Sequence, residues 1–151
     1  MDKNNILIDL SQSKKTKFGK EDFALQSLPQ KVFSAIWYVE SEVNNGGFSQ
    51  YFVNDVEEST SFVVEALETI GAPKTASICN RAIAAAFPGG LPTTPEAIRS
   101  LATDFPDDIL GKLEPLDQEF FAYPHNLTEL LFAFVSRHPE EFGTLPTLDD
   151  A

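Results

Sequence analysis

The chain has 151 residues, 42% of them hydrophobic and 13 of them phenylalanine, so it can fold as one domain around a substantial core. Its 23 acids outnumber its 11 lysines and arginines, and the net charge of −12 argues against direct binding to nucleic acid. The single Cys79 excludes an internal disulfide, and no apolar stretch approaches the roughly 18 residues of a membrane span. We therefore expect a cytoplasmic protein without a membrane segment.

Charge is distributed unevenly along the chain. Residues 1–20 contain five of the 11 basic residues and two of the 23 acids, which leaves six basic residues and 21 acids for residues 21–151. We expect residues 1–20 to be a mobile lysine-bearing arm, because the alternating apolar residues at positions 6, 8 and 10 have no second strand to pair with. Residues 21–140 are predicted to form an all-helical acidic domain, and residues 141–151 an acidic tail.

Helix signals in the first half centre on one long aromatic segment. A short helix is predicted over residues 21–28, and the main helix opens at Pro29, a favoured first-turn residue, and runs to about Asn44. The adjacent Gly46 and Gly47 permit positive φ and predict a helix stop and a sharp turn, after which aromatic residues resume at helical spacing.

Five more helical segments are indicated downstream by caps and breakers. Ser59 or Thr60 is the predicted cap of a helix that stops at Gly71, and Pro73 opens the next one, which presents small residues on its packing face. A loop over residues 87–92 follows, and then a helix capped by Thr94 and ended by Pro106. The next segment is capped by Asp107 or Asp108 and divided by Pro115. The last helix is capped by Asn126 and ended by His138-Pro139. These signals predict an all-α, single-domain bundle of six to seven helices.

Glu40 is unusual because it lies on the apolar face of the main helix. On a helical wheel, six apolar residues between positions 32 and 43 fill an arc of about 160°, and Glu40 and Asn44 fall inside it, whereas Glu42 points away. A buried carboxylate needs hydrogen-bond donors. We expect Glu40 to be largely buried and to accept hydrogen bonds from backbone N–H groups at or after Gly46-Gly47, or from Asn44 or Gln50.

The residues around Glu40 also resemble a known family motif. Glu40 followed by Asn45-Gly46-Gly47-Phe48, Gln50-Tyr51-Phe52 and Asn54 is similar to the hallmark of a bacterial domain-of-unknown-function family that includes an acidic DNA-mimic protein. Trp37, the helical run over residues 62–71 and the loop at residues 87–90 extend the resemblance over roughly residues 25–135. The resemblance implies an all-helical acidic fold in which surface carboxylates stand in for DNA phosphates, and a motif that is structural: Trp37, Glu40, Asn44, Asn45, Gly46, Gly47, Phe48, Gln50, Tyr51, Phe52 and Asn54.

Mimicry requires clustered acids outside that motif. Carboxylates three or four residues apart on a helix are about 5–6 Å apart at Cβ, a plausible phosphate spacing. The candidate partner-binding acids form several such clusters: Asp55, Glu57 and Glu58; Glu65 and Glu68; Asp104, Asp107 and Asp108; Glu114, Asp117 and Glu119.

Signals for catalysis or cofactor binding are weak. His125 and His138 lie beside prolines near helix ends without a second ligand at i+3 or i+4, so cap or dipole roles are favoured over metal binding. Cys79 lies among alanines, which favours core packing, and Gly89-Gly90 lacks the lysine of a phosphate loop. We expect no cofactor, no metal and no catalytic residue.

The leading functional hypothesis is therefore an acidic, non-enzymatic protein that occupies the DNA-binding surface of a basic partner such as a transcriptional regulator. Two alternatives stay open: a small enzyme with Glu40 as general base, and a structural or immunity-type interaction domain. The expected partner is a basic DNA-binding protein, and the sequence leaves monomer and homodimer open.

Overall fold

The computed structural model describes residues 2–12, 25–54 and 59–142. These residues form eight α-helices and no strand, which confirms the all-α prediction with a helix count close to the one expected. The helices are α1 Lys3–Gln12, α2 Leu28–Val53, α3 Ser59–Thr69, α4 Pro73–Ala86, α5 Pro95–Thr103, α6 Asp107–Phe121, α7 Leu127–Ser136 and α8 Pro139–Phe142. None of these helices is long and apolar enough to cross a membrane.

Helix α2 is the centre of the bundle and packs against α3, α5, α6, α7 and α8. Its start follows from local chemistry, because Ser27 and Gln30 form a capping box and Pro29 lies in the first turn. Leu25 is the end of a 3₁₀ turn and residues 26 and 27 are not helical, so this part of the expected short leading helix is not α-helical; residues 21–24 lie outside the described residues. The predicted helix stop at Gly46 and Gly47 is wrong, because α2 continues through the glycine pair with a kink in its backbone.

The core is rich in aromatic rings contributed by both sides of the kink. Phe52 lies at its middle, with ring centroids 5.1 Å from Phe87 and 6.2 Å from Phe105. Phe48 packs edge-on against Phe120 of α6 at 5.8 Å. Such edge-to-face pairs contribute about 0.5–1.5 kcal/mol each beyond the burial of their area. The residues after the glycine pair therefore join α2 to both α5 and α6.

Helices α3 and α4 are connected as the sequence predicted. Gly71 has φ of +88°, and the N–H groups of Gly71 and Ala72 bond to the carbonyls of Glu68 and Leu67 in a Schellman turn. Pro73 then opens α4, whose small residues, including Cys79, are buried where α4 contacts α3 and α6. Burial raises the pKa of the Cys79 thiol to about 12, so it is a packing residue with little thiolate character.

Helix α6 differs from its prediction in two respects. Asp107 and Asp108 occupy its first turn instead of capping it, because Pro106 is the N-cap residue and its carbonyl accepts the first helical hydrogen bonds. Pro115 does not divide the helix. It lies on the exposed face together with Gly111, whose carbonyl loses its helical partner to the proline and can be hydrated instead. By contrast, Thr94 caps α5 and Asn126 caps α7 as predicted.

The expected mobile arm is wrong for residues 3–12. They form α1, which packs against α7, with Ile6, Leu7 and Leu10 no more than 5% exposed. Their spacing places them on one helical face, and α7 supplies the apolar partner that an isolated segment lacks. Residues 13–20 lie outside the described residues. At the other end, Phe142 is buried against Phe33, so the predicted tail does not begin at residue 141; residues 143–151 lie outside the described residues.

Candidate functional site at the α2 kink and the exposed acids

The kink in α2 depends on two glycines that cannot be replaced without a clash. Gly47 has φ of +78°, and a Cβ there would lie 2.5 Å from Asp117 Oδ2 of α6. A Cβ on Gly46 would lie 2.0 Å from the side-chain oxygen of Gln50. Gly47 is needed both for its positive φ and for the close approach of Asp117. Gly46 is needed for the close approach of Gln50.

Asp117 caps the second half of α2 from another helix. The kink frees the Phe48 N–H from the helical ladder, and this group donates a 2.8 Å hydrogen bond to Asp117 Oδ1. Burial raises the pKa of Asp117, the Phe48 N–H opposes that rise, and the charge of Glu114 one turn earlier adds to it. The donors of the glycine turn therefore serve Asp117, and the expectation that they would serve Glu40 is wrong.

Glu40 is instead bonded to a tyrosine at the end of α6. The Tyr123 hydroxyl donates to Glu40 Oε1 at 2.9 Å and accepts from Asn44 Nδ2 at 2.6 Å, so its one proton and one acceptor site are both used. Glu40 is half-buried. Burial raises the pKa of Glu40 and the Tyr123 hydrogen bond opposes it, whereas the pKa of Tyr123 is raised to about 12, mainly by burial.

Tyr123 has an unusual backbone conformation for such a large residue. It follows the C-cap of α6 with φ of +50°, the only positive φ among the described residues other than glycine. Holding a bulky residue in this region costs of order 1–3 kcal/mol and requires compensating contacts. Its hydrogen bonds to Glu40 and Asn44 and its ring contact with Phe120 at 6.0 Å supply them.

A second set of hydrogen bonds links α2 residues before the kink to α2 residues after it. Glu42 Oε2 accepts hydrogen bonds from Gln50 Nε2 and Asn54 Nδ2, each at 2.9 Å. The Tyr38 hydroxyl donates to the carbonyl oxygen of Asn54. Each bond joins a residue before the glycine pair to one after it, so together they hold the angle between the two halves of α2.

The remaining motif residues divide between core and surface. Phe48, Tyr51 and Phe52 are buried, Trp37 stacks on Phe33 with a 5.6 Å centroid separation, and Asn45 is exposed beside the turn. Sequence reasoning missed the roles of Asp117, Tyr123, Glu42 and Tyr38. Asp117 was singled out only as a surface acid, and no local pattern connects it or Tyr123 to a helix 69 or 83 residues earlier.

The candidate partner-binding acids do not all have the same environment. Asp117 is a half-buried cap, and Glu119 makes a bidentate ion pair with Arg81 of α4 at 2.8 and 2.9 Å. Asp55, Glu57 and Glu58 lie outside the described residues. The side chains of the other six are exposed and form no hydrogen bond or ion pair within the described part of the chain: Glu65, Glu68, Asp104, Asp107, Asp108 and Glu114.

Neither histidine belongs to a metal site in the described residues, where no group of three potential ligands comes together. His125 Nε2 accepts a 3.1 Å hydrogen bond from the Lys74 N–H in the first turn of α4, which is the cap role expected for it. His138 Nδ1 lies 3.5 Å from Glu140 Oε1, and its ring is tilted against that of Phe134 at a centroid separation of 4.6 Å.

Comparison with known proteins finds one similarity, at the level of the family. A family model described as DMP19-like protein matches residues 25–138, which include the glycine motif together with Asp117 and Tyr123 and leave out α1. No curated protein and no solved structure matches the chain.

Proposed function

The chain belongs to the DMP19-like protein family, a DNA-mimic family, and on that basis we propose that it is an acidic, non-enzymatic protein that occupies the DNA-binding surface of a basic partner such as a transcriptional regulator. The observation that carries the proposal is that six of the candidate acids are exposed and have no side-chain hydrogen bond or ion pair within the described residues: Glu65, Glu68, Asp104, Asp107, Asp108 and Glu114. An acid already paired with an arginine, as Glu119 is, offers a partner little net charge. The unpaired acids keep theirs.

Five of the six unpaired acids form two groups, and the sixth, Glu114, lies further along α6. Glu65 and Glu68 are three residues apart on α3, which places their Cβ atoms about 5–6 Å apart. Asp104 is the C-cap of α5, and Asp107 and Asp108 are in the first turn of α6, so this group lies at the corner between the two helices. We name this group the corner cluster. The helix dipole of α6 favours two acids at its start, so the cluster is compatible with a stable fold.

The alternative of catalysis by Glu40 has less support. The raised pKa of Glu40 is a feature of general bases. Its carboxylate, however, accepts a hydrogen bond from the Tyr123 hydroxyl, whose own pKa is about 12. A proton shared with so weak an acid stays on the tyrosine at neutral pH. The group is better suited to joining α2 to the end of α6.

Competition with DNA tests the proposed function. The partner is captured from the native cytoplasm and loaded with labelled DNA, and the protein is then titrated in at several salt concentrations. We expect the protein to release the DNA, with an efficiency that falls steeply with salt because exposed charges are screened beyond about 8 Å at physiological ionic strength. If the protein binds the partner while the DNA stays in place, the proposed function is wrong.

Charge variants show whether the location of the acids matters. Changing Asp104, Asp107 and Asp108 to asparagine should slow association more than it changes stability, because exposed acids contribute little to folding individually. The control is the variant with Glu65 and Glu68 changed to glutamine, which also removes charge but at another place. Losses in proportion to the charge removed, three acids against two, would mean that net charge alone, and no particular surface, drives binding.

A further inference from the structure

Helix α6 carries an exposed strip of apolar and aromatic side chains. Leu110 is 40% exposed and Phe121 41% exposed, and Tyr123, just beyond the helix end, is 38% exposed. Successive residues of a helix are rotated by 100°, so Leu110, Glu114 and Phe121 lie within an arc of about 40°. We name Leu110, Glu114, Phe121 and Tyr123 the α6 strip. From Leu110 to Phe121 it is about 17 Å long.

The charge around the strip is negative. Glu114 lies within it and Asp107 beside it on the wheel, and both are exposed and unpaired in the described residues. Lys112, the only basic residue of α6, lies about 160° from Leu110 on the wheel. The Arg81–Glu119 ion pair is likewise on that other side, toward α4. A cation that approaches the strip therefore meets carboxylates and no competing positive charge from α6.

The strip is also held rigidly at the edge that faces α2. Asp117, one turn before Phe121, is fixed by its hydrogen bond to the Phe48 N–H. Tyr123 is fixed by Glu40 and Asn44, which use its hydroxyl and leave part of its ring exposed. A surface that is already ordered loses less entropy when a partner binds.

Aromatic faces beside carboxylates suit one cation in particular. The guanidinium of arginine is planar, stacks on aromatic rings and bonds carboxylates in a bidentate manner, whereas the lysine ammonium is a strongly hydrated point charge. We propose that the α6 strip is the docking surface for an arginine-bearing segment of the basic partner. This inference rests on the proposed function and adds to it a specific surface, on which apolar and aromatic contact acts together with charge.

Two synthetic helical peptides of equal length and equal net charge test the inference. One carries arginines at positions i, i+4 and i+7, and the other carries lysines at the same positions. Fluorescence anisotropy at fixed salt should show that the protein binds the arginine peptide about two- to fivefold more tightly, the range expected for exposed cation–π contacts. Phe121→Leu keeps an apolar side chain but removes the ring face, and should abolish most of this preference.

The control is Leu28→Ala, which removes an apolar side chain that is 63% exposed at the N-terminal end of α2 and is not part of the α6 strip. It should keep the arginine preference. Equal affinity for the two peptides, binding of neither peptide, or a preference that survives Phe121→Leu would each overturn the inference. A change in the sedimentation mass of Phe121→Leu with the preference intact would also overturn it and make the strip an interface between copies of the chain.

Failure of this inference can be told apart from failure of the proposed function. In the DNA-release assay, wild type and Phe121→Leu that displace DNA equally well would leave the function standing and place the contact elsewhere. Wild type that leaves the DNA bound would refute the function whatever the peptides do.

Discussion

Replacement of Asp117 by alanine tests whether the cap between α6 and α2 stabilises the fold. The substitution removes the 2.8 Å acceptor of the Phe48 N–H, directly after the two residues with non-helical φ and ψ. A hydrogen bond to a charged group contributes about 1.5–3 kcal/mol, and the half exposure of Asp117 reduces this to about 1–2.5 kcal/mol. Alanine regains about 0.5 kcal/mol of helix propensity. We therefore expect a net loss of about 0.5–2 kcal/mol.

Thermal and urea unfolding measure this loss. For a domain of this size the melting temperature should fall by about 1–8 °C. Asp117→Asn keeps an oxygen that can accept from Phe48 and should lose less than half as much. Glu114→Ala removes an exposed acid one turn earlier on the same helix and should change stability by less than about 0.5 kcal/mol. If Asp117→Ala is no less stable than Glu114→Ala, the cap does not stabilise the kink and the reasoning is wrong.

Two further predictions concern the glycine turn and Glu40. Gly47→Ala should cost about 1–2 kcal/mol more than Gly71→Ala: both glycines have positive φ, but a Cβ at Gly71 meets nothing within 4 Å whereas one at Gly47 displaces the Asp117 cap. In the Asp117→Ala background this excess should disappear from urea unfolding, and its persistence would show that the clash is not with the carboxylate. Glu40→Gln keeps an acceptor for Tyr123 but cannot ionise. The pKa of Glu40 is raised in the folded state, so ionisation of its carboxyl group destabilises the fold. Wild type should therefore lose stability relative to Glu40→Gln as the pH rises from the usual carboxyl value of 4.5 through the raised pKa. A difference in unfolding free energy between the two proteins that stays constant from pH 4 to pH 8 would contradict this.

The helix ends were predictable wherever a residue acts on its own neighbours. Thr94 and Asn126 cap helices by bonding an N–H group three residues later, and Gly71 ends one because it accepts a left-handed conformation. These effects operate within a single turn, so the order of the residues contains them. The same reasoning failed at Asp107 and Asp108, because two adjacent candidates and a preceding proline compete for one cap position.

Other features depend on segments far apart in the chain. The amphipathic pattern at residues 6–10 is too short to hold a helix by itself, and only the apolar surface of α7 makes α1 part of the core. Pro115 did not break α6, because the packing of α6 on α2 and α4 holds the helix on both sides of it.

The sequence by itself determined that this protein is an acidic helical bundle and that regular helix geometry is interrupted at its glycine pair. It also identified Glu40 as a carboxylate in need of a partner. Only the tertiary structure decided which partners these groups have: Tyr123 for Glu40 and Asp117 for the freed Phe48 N–H. The physical reason is that a hydrogen bond requires two groups within about 3 Å, and helix packing alone sets that distance for residues 69 and 83 positions apart.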